Sequence, residues 1–216
     1  MSDESALAGE TVVVIGGSSG IGLEAARRAR EDGAEIIITA RDADRVHRVG
    51  LELGASIAAF DATNFDRLGR FFDELPAPVD HVLVACPRPS APADFDLEAA
   101  RRSVDAQLLL PLQVARVAGT KIRRAGTLLF TACTDDHRPT GGLSLLSGLG
   151  AALPALTKTL ALEIAPVRVN LIVRTAQSTR RVVAAGDVAA LAVHLMTNTA
   201  VTGATFAIEE PPSEEE

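Results

Sequence analysis

The seven residues Gly16-Gly-Ser-Ser-Gly-Ile-Gly22 follow the apolar run Thr11–Ile15 directly, and helix formers from Leu23 to Asp32 come next. Glycines at this density permit a tight turn and let a ligand approach the backbone closely. The free N–H groups and positive dipole end of the helix that follows suit a pyrophosphate. Ser18 and Ser19 add hydroxyl donors. The plain alternative is a glycine turn that only packs strand against helix. A second candidate is Cys133, with His137 four residues later and Asp135 or Asp136 available to orient the imidazole. A cysteine–histidine pair needs hydrogen-bond reach and a third orienting group; the alternative is a buried inert thiol and a surface imidazole. Ser147 has no evident base, and Lys158 stands alone on its helix. His47, His81 and His194 are scattered, and no His/Cys/Asp/Glu cluster has metal-ligand spacing.

These residues need a scaffold, and the chain is long enough for one core. It has 216 residues, 47% hydrophobic and 23% charged, which suits a single globular domain. The net charge of −7 argues against a nucleic-acid partner, which would need a basic patch. Two cysteines, Cys86 and Cys133, make no disulfide framework. The start, Met1 to Glu10, is polar and acidic and reads as an N-terminal arm without a targeting signal. The stretch Leu143–Leu162 is apolar, but Pro154 and Lys158 interrupt it, so a buried helix is expected rather than a membrane span. The expectation is a cytoplasmic protein with two free thiols.

Runs of Val, Ile and Leu alternate with helical stretches along the whole chain. Strands are predicted at Thr11–Ile15, Glu35–Thr39, Ser56–Phe60, Val79–Ala85, Leu128–Ala132, Val167–Val173 and Thr205–Ile208. Between them lie helical stretches, among them Asp42–Leu53, Asn64–Leu75, Phe95–Arg124, Leu143–Ile164 and Asp187–Met196. Continuous rather than alternating apolar runs mark strands covered on both faces. Strand–helix alternation marks a parallel sheet. The reading is an α/β fold: one doubly wound Rossmann domain over 11–208, with a seven-stranded parallel sheet and helices on both faces. Residues 209–216 form an acidic tail expected to be solvated.

The loop GGSSGIG after an apolar strand resembles the cofactor loop of the short-chain dehydrogenase/reductase family, as does the stretch Ala161–Asn170. The resemblance runs from about Thr11 to Ile208. It implies a dinucleotide held by Gly16, Ser18, Ser19, Gly20, Ile21 and Gly22. It assigns Asp61 and Ala62 to the adenine, Ala85 to the adenosine ribose and Thr179 to the nicotinamide carboxamide. For Asp61, capping of the next helix by it or by Asn64 is the alternative. Ala40 stands where an NAD-selecting acid would be, and Arg41 follows it, a partner for a 2′-phosphate, although Asp42 is close enough to turn back on it. NADP(H) is therefore expected over NAD(H).

The chemistry implied by the resemblance has no residues here to carry it. The family's Tyr and Lys positions fall on Leu146 and Gly150, its Ser on Cys133 and its Asn on Gln107. The chain has no Tyr at all, so no alternative alignment restores the acid. A short link in place of the usual helical insert after the sixth strand predicts an open site without a lid. The catalytic residues stay unknown. Three readings follow: a catalytically impaired binder of NADP(H); a true oxidoreductase acting on a small carbonyl or alcohol, with a non-standard donor such as His137 or water; or an engineered or structural scaffold. The resemblance also implies a homodimer or homotetramer through the helices within Phe95–Arg124 and Leu143–Ile164.

Overall fold

The computed structural model describes residues 5–86, 96–135, 144–176 and 183–209. Strands β1 (Thr11–Ile15), β2 (Glu35–Ala40), β3 (Ser56–Ala59), β4 (Val79–Ala85), β5 (Ile122–Asp135), β6 (Arg168–Ala176) and β7 (Thr205–Ile208) form one sheet. Every pairing is parallel and the order is β3-β2-β1-β4-β5-β6-β7. The direction of strand addition reverses between β1 and β4. That switch point opens a crevice at the carboxyl ends of the two strands, the usual ligand position in open α/β sheets.

The helices are α1 (Gly20–Glu31), α2 (Ala43–Leu53), α3 (Phe65–Asp73), α4 (Leu97–Val104), α5 (Leu110–Ala118), α6 (Ser144–Glu163) and α7 (Ala185–Thr197). Period-two alternation divides each strand between two cores. Val13, Val82, Val84, Leu128, Phe130 and Leu171 meet Leu68, Phe71 and Phe72 of α3, Val114 of α5 and Leu153 and Leu160 of α6. Val12, Val14, Ile38, Leu83, Leu129 and Ile172 face the other way, onto Ala25, Ala26 and Ala29 of α1, Val46 of α2 and Val188 and Ala192 of α7. The small side chains of α1 let it lie close to the sheet and to α7.

Two segments depart from the sequence reading, and a third, expected as a buried helix, is a helix with one buried stripe. The helix expected over Phe95–Arg124 is α4 and α5 joined by a π-helical turn, Asp105–Leu109, and β5 already begins at Ile122. The expected polar arm contributes to the core: Leu7 is wholly buried and its N–H donates to Asp32 O at 2.9 Å. Finally, α6 is long and apolar enough to cross a membrane by length and composition, yet Leu149, Leu153, Thr157, Leu160 and Ala161 make a buried stripe. Leu162 is 80% exposed.

The end of the sheet away from the crevice is held by buried polar side chains. Arg168, 5% exposed, donates to the carbonyls of Leu195, Met196 and Asn198 at 2.7 Å each, and to Ala125 O at 3.2 Å. It satisfies the orphan carbonyls at the C-terminus of α7 and complements that helix dipole. Asn170, fully buried, ties β6 to the approach of β7 through Val201 O and the Ala204 N–H. His81 Nε2 lies 2.6 Å from Glu10 Oε2, and its Nδ1 is buried without a partner. Burial holds this imidazole below the usual histidine range, against the opposing pull of Glu10.

Two outcomes follow. Arg168→Met orphans several buried carbonyls at about 1–3 kcal/mol each, so urea unfolding should show a loss of about 3 kcal/mol or more. The pH response follows from the lowered His81 affinity: the unfolded chain takes up a proton first. Stability from this site is complete above the unfolded histidine value of about 6.5 and is lost as pH falls below it. The melting temperature should decline between about pH 7.5 and 5.5, and His81→Gln should flatten that decline.

Candidate functional site

At the end of β1 the chain turns out through Gly16, at φ +83. The N–H groups of Gly16 and Gly17 donate to Thr39 O at 2.9 and 3.2 Å, fastening the loop to β2. A methyl on Gly16 would sit 2.8 Å from Ala85 O, and one on Gly22 would sit 2.4 Å from Gly16 O. Both distances forbid a side chain, so these glycines are what let loop, α1 and β4 close up. Gly20 differs: φ +55 favours glycine for its backbone, while a side chain there would project into open space.

Helix α1 starts without a cap. Ser19 is extended and its side chain accepts nothing from the helix, and no carboxylate lies in the first turn. By contrast, Asp42, Asn64 and Asp96 accept from the N–H groups of Arg45, Arg67 and Glu98 at the starts of α2, α3 and α4. The first N–H groups of α1 are thus left to an outside acceptor, and the helix dipole favours an anion there.

These groups line a cleft of ≈ 430 Å³. Of the residues expected to hold a dinucleotide, Gly16, Ser18, Ser19, Gly20, Ile21, Gly22, Arg41, Asp61, Ala62 and Ala85 all line it. Thr179 lies outside the described residues. Arg41 is exposed, and among the described residues no carboxylate pairs with it. Asp42 instead caps α2 and stands 3.6 Å from Arg45 Nε. At Asp61 the two roles left open separate. Its Oδ1 accepts from Thr63 N and Thr63 Oγ1 at 2.9 and 2.7 Å, while Asn64 caps α3. A dinucleotide therefore fits the donor set: uncapped helix N–H groups over an open glycine face, and an unpaired guanidinium at the β2 end.

The other end of the cleft is built from β5, β6 and the π-helical turn. Cys133 is half-buried and opposite Arg174 in the β5–β6 register. Arg174 Nη2 lies 3.5 Å from its sulfur. Cys86 is buried, and its thiol is pushed up to about 12 by that burial and by Cys133 nearby, which keeps it neutral and inert. Leu146, Ser147 and Gly150 of α6 do not line the cleft, and Lys158 is exposed further along that helix. Gln107 is buried in the π-helical turn. His137 and Asp136 lie outside the described residues, and Asp135 closes β5. Among the described residues no group of three or more His, Cys, Asp or Glu could hold a metal.

Sequence reasoning did not single out Arg45, Arg102, Asp105 and Arg174 as site residues, yet all four line the cleft. Arg45 carried a signal, one helical turn beyond Arg41 on α2. The other three come from α4, the π-helical turn and β6, all distant in sequence from the glycine loop, and nothing local marks them. With Arg41 they place four arginines and the carboxylates of Asp42, Asp61 and Asp105 around the cleft. Arg45 pairs with Asp42 and Arg102 with Asp96, which leaves Arg41 and Arg174 without a carboxylate partner among the described residues.

The family model described as enoyl-(acyl carrier protein) reductase matches residues 15–180. A short-chain dehydrogenase/reductase of Stachybotrys chlorohalonatus, ATR9, is 28% identical over 180 residues, 75% of this chain and 71% of that protein. A short-chain dehydrogenase from Burkholderia cenocepacia, solved in complex with NADP, superposes with a TM-score of 0.86 at 21% identity, covering 94% of this chain and 98% of that one. The structure of BdcA in complex with NADPH gives 0.82 at 21% identity, covering 94% of both chains. Loop, strand order and matched span agree, and the chain belongs to the short-chain dehydrogenase/reductase family.

Proposed function

We propose that this chain binds NADP(H) in the crevice between β1 and β4 and reduces carbonyls slowly or not at all. The observation that carries the reading is the uncapped N-terminus of α1 over a cleft whose β2 end holds an unpaired Arg41. Two structural relatives described as complexes with NADP and NADPH support the choice of ligand. The α1 N–H groups would hold the diphosphate. Asp61 and Ala62 would border the adenine, and Arg41 with Arg45 would take the 2′-phosphate. When bound, the nicotinamide supplies a hydride to an acceptor.

What the chain's own residues then lack is a proton source. General acid catalysis is worth about 10²–10⁴-fold. Leu146 carries no proton, Gly150 has no side chain to tune one, and the chain has no Tyr. The residues that remain bind and orient. A small carbonyl or alcohol is the acceptor class this reading allows. Self-association into a homodimer or homotetramer through α5 and α6 belongs to the same proposal, supported by the exposed Leu162 and the half-buried Leu145, Leu146 and Leu156 of α6.

Isothermal titration tests the binding. Arg41→Ala should weaken NADP⁺ by about tenfold or more, the worth of a charged hydrogen bond, and leave NAD⁺ nearly unchanged. Equal losses for both would remove the 2′-phosphate assignment, and no binding of either dinucleotide to the wild type would leave only the scaffold reading. Turnover separates the remaining alternative. A screen of small aldehydes and ketones with NADPH should give rates near those of NADPH in buffer, unchanged by His137→Ala. Robust, His137-dependent reduction would instead assign the proton to that imidazole.

A further inference from the structure

Arg174 has an unusual position for a cation. It sits near the carboxyl end of β6, on the cleft wall, half-buried, and its Nε is buried without a hydrogen-bond partner. Its other contacts are weak: Nη1 to Val183 O at 3.4 Å and Nη2 to the Cys133 sulfur at 3.5 Å. No carboxylate among the described residues forms an ion pair with it. Asp105 shares the cleft but makes no such contact, Asp42 is engaged by Arg45, and Asp61 by Thr63. By comparison, the buried Arg168 at the opposite end of β6 makes four hydrogen bonds to carbonyls. A half-buried guanidinium with so little compensation costs stability that a counter-ion would restore.

We propose that Arg174 is an anchor for a carboxylate on the acceptor, so that the cleft takes oxo acids or hydroxy acids rather than neutral carbonyls. This rests on the reading that a dinucleotide fills the rest of the cleft. A charged group suits the site better than a neutral one: it takes four carbonyls to satisfy Arg168, whereas an acceptor would bring a single carbonyl oxygen to Arg174. A planar carboxylate brings two oxygens and the counter-charge, matching guanidinium in two parallel hydrogen bonds. The other anion within reach of the cleft is the diphosphate itself. The sheet order separates the two. β6 lies three strands from β1, after which α1 begins, and four from β2, which leads to Arg41. At about 4.8 Å per strand that is roughly 14 and 19 Å. Arg174 therefore serves the end of the cleft away from the phosphates, beside Cys133.

The test is calorimetry on the full chain with acetoacetate, its neutral methyl ester and inorganic phosphate, each with and without saturating NADP⁺, a combination in which nothing can be reduced. The wild type should bind acetoacetate at least tenfold more tightly than the ester. Arg174→Met should abolish that preference while changing NADP⁺ affinity less than threefold. Arg174→Lys should retain part of it, and Arg116→Met, an exposed control on α5, all of it. Equal binding of acid and ester by the wild type would overturn the proposal, whatever the fold of the variants. So would an Arg174→Met variant that keeps the preference, or one that loses NADP⁺ and phosphate binding instead, which would give the guanidinium to the cofactor. Failure of NADP⁺ to bind the wild type would remove the dinucleotide reading, and the acetoacetate–ester comparison on the ligand-free chain would still decide the role of Arg174.

Discussion

The contact on which the rest depends is the one between the first turn of α1 and the ends of β1 and β4. Gly22 packs so tightly on the Gly16 carbonyl that a Cβ would stand 2.4 Å from it, and Gly16 itself crowds Ala85 O. That closeness brings a helix N-terminus over the switch point of the sheet. It also aims uncapped N–H groups at the space where the strands diverge. If α1 were displaced by the width of a methyl group, the alanine face of Ala25, Ala26 and Ala29 would lose its fit on the sheet and on α7. Loop geometry and core packing are therefore the same constraint at this point, and neither can be relaxed alone.

Much of this was legible in the residues. The strands were, because burial on both faces demands unbroken Val/Ile/Leu runs such as Val79–Ala85, and such runs resist other readings. The glycine loop was, because glycine takes the Gly16 and Gly20 dihedrals at no steric cost and is the residue that fits the close contacts at Gly16 and Gly22. The break in the helix between β4 and β5 was not. Ile122-Arg-Arg-Ala125 reads as helix on composition, but β5 starts there, and Ala125 at φ +66 redirects the chain into it. Leu7 was missed because Ser2, Asp3, Glu4, Ser5 and Glu10 set the polar character of the window, while a single large apolar residue suffices to plug a core. Arg174 was passed over as a site because a strand-end arginine usually faces water. Only the pairing of β5 with β6 places it in the cleft beside Cys133.

The site divides into two ends with different relations to the family. The glycine-loop end carries the uncapped start of α1 and an Arg41 that Asp42 leaves free. The opposite end is lined by Cys133, Arg174 and Asp105, borne on β5, β6 and the π-helical turn. A sheet can hold one end constant while the other changes because the two ends are borne by different strands, each fixed by its own ladder and its own half of the core.

Arg168 fastens the far end of α7 to the first residue of β6, while the near end of α7, at Ala185, borders the cleft. Strand and helix are thus pinned together independently of the segment that joins them. That junction is a natural port for grafting: a longer covering segment spliced between Ala176 and Val183 would inherit two anchored stems, and the scaffold would bear new recognition loops there without renegotiating its core.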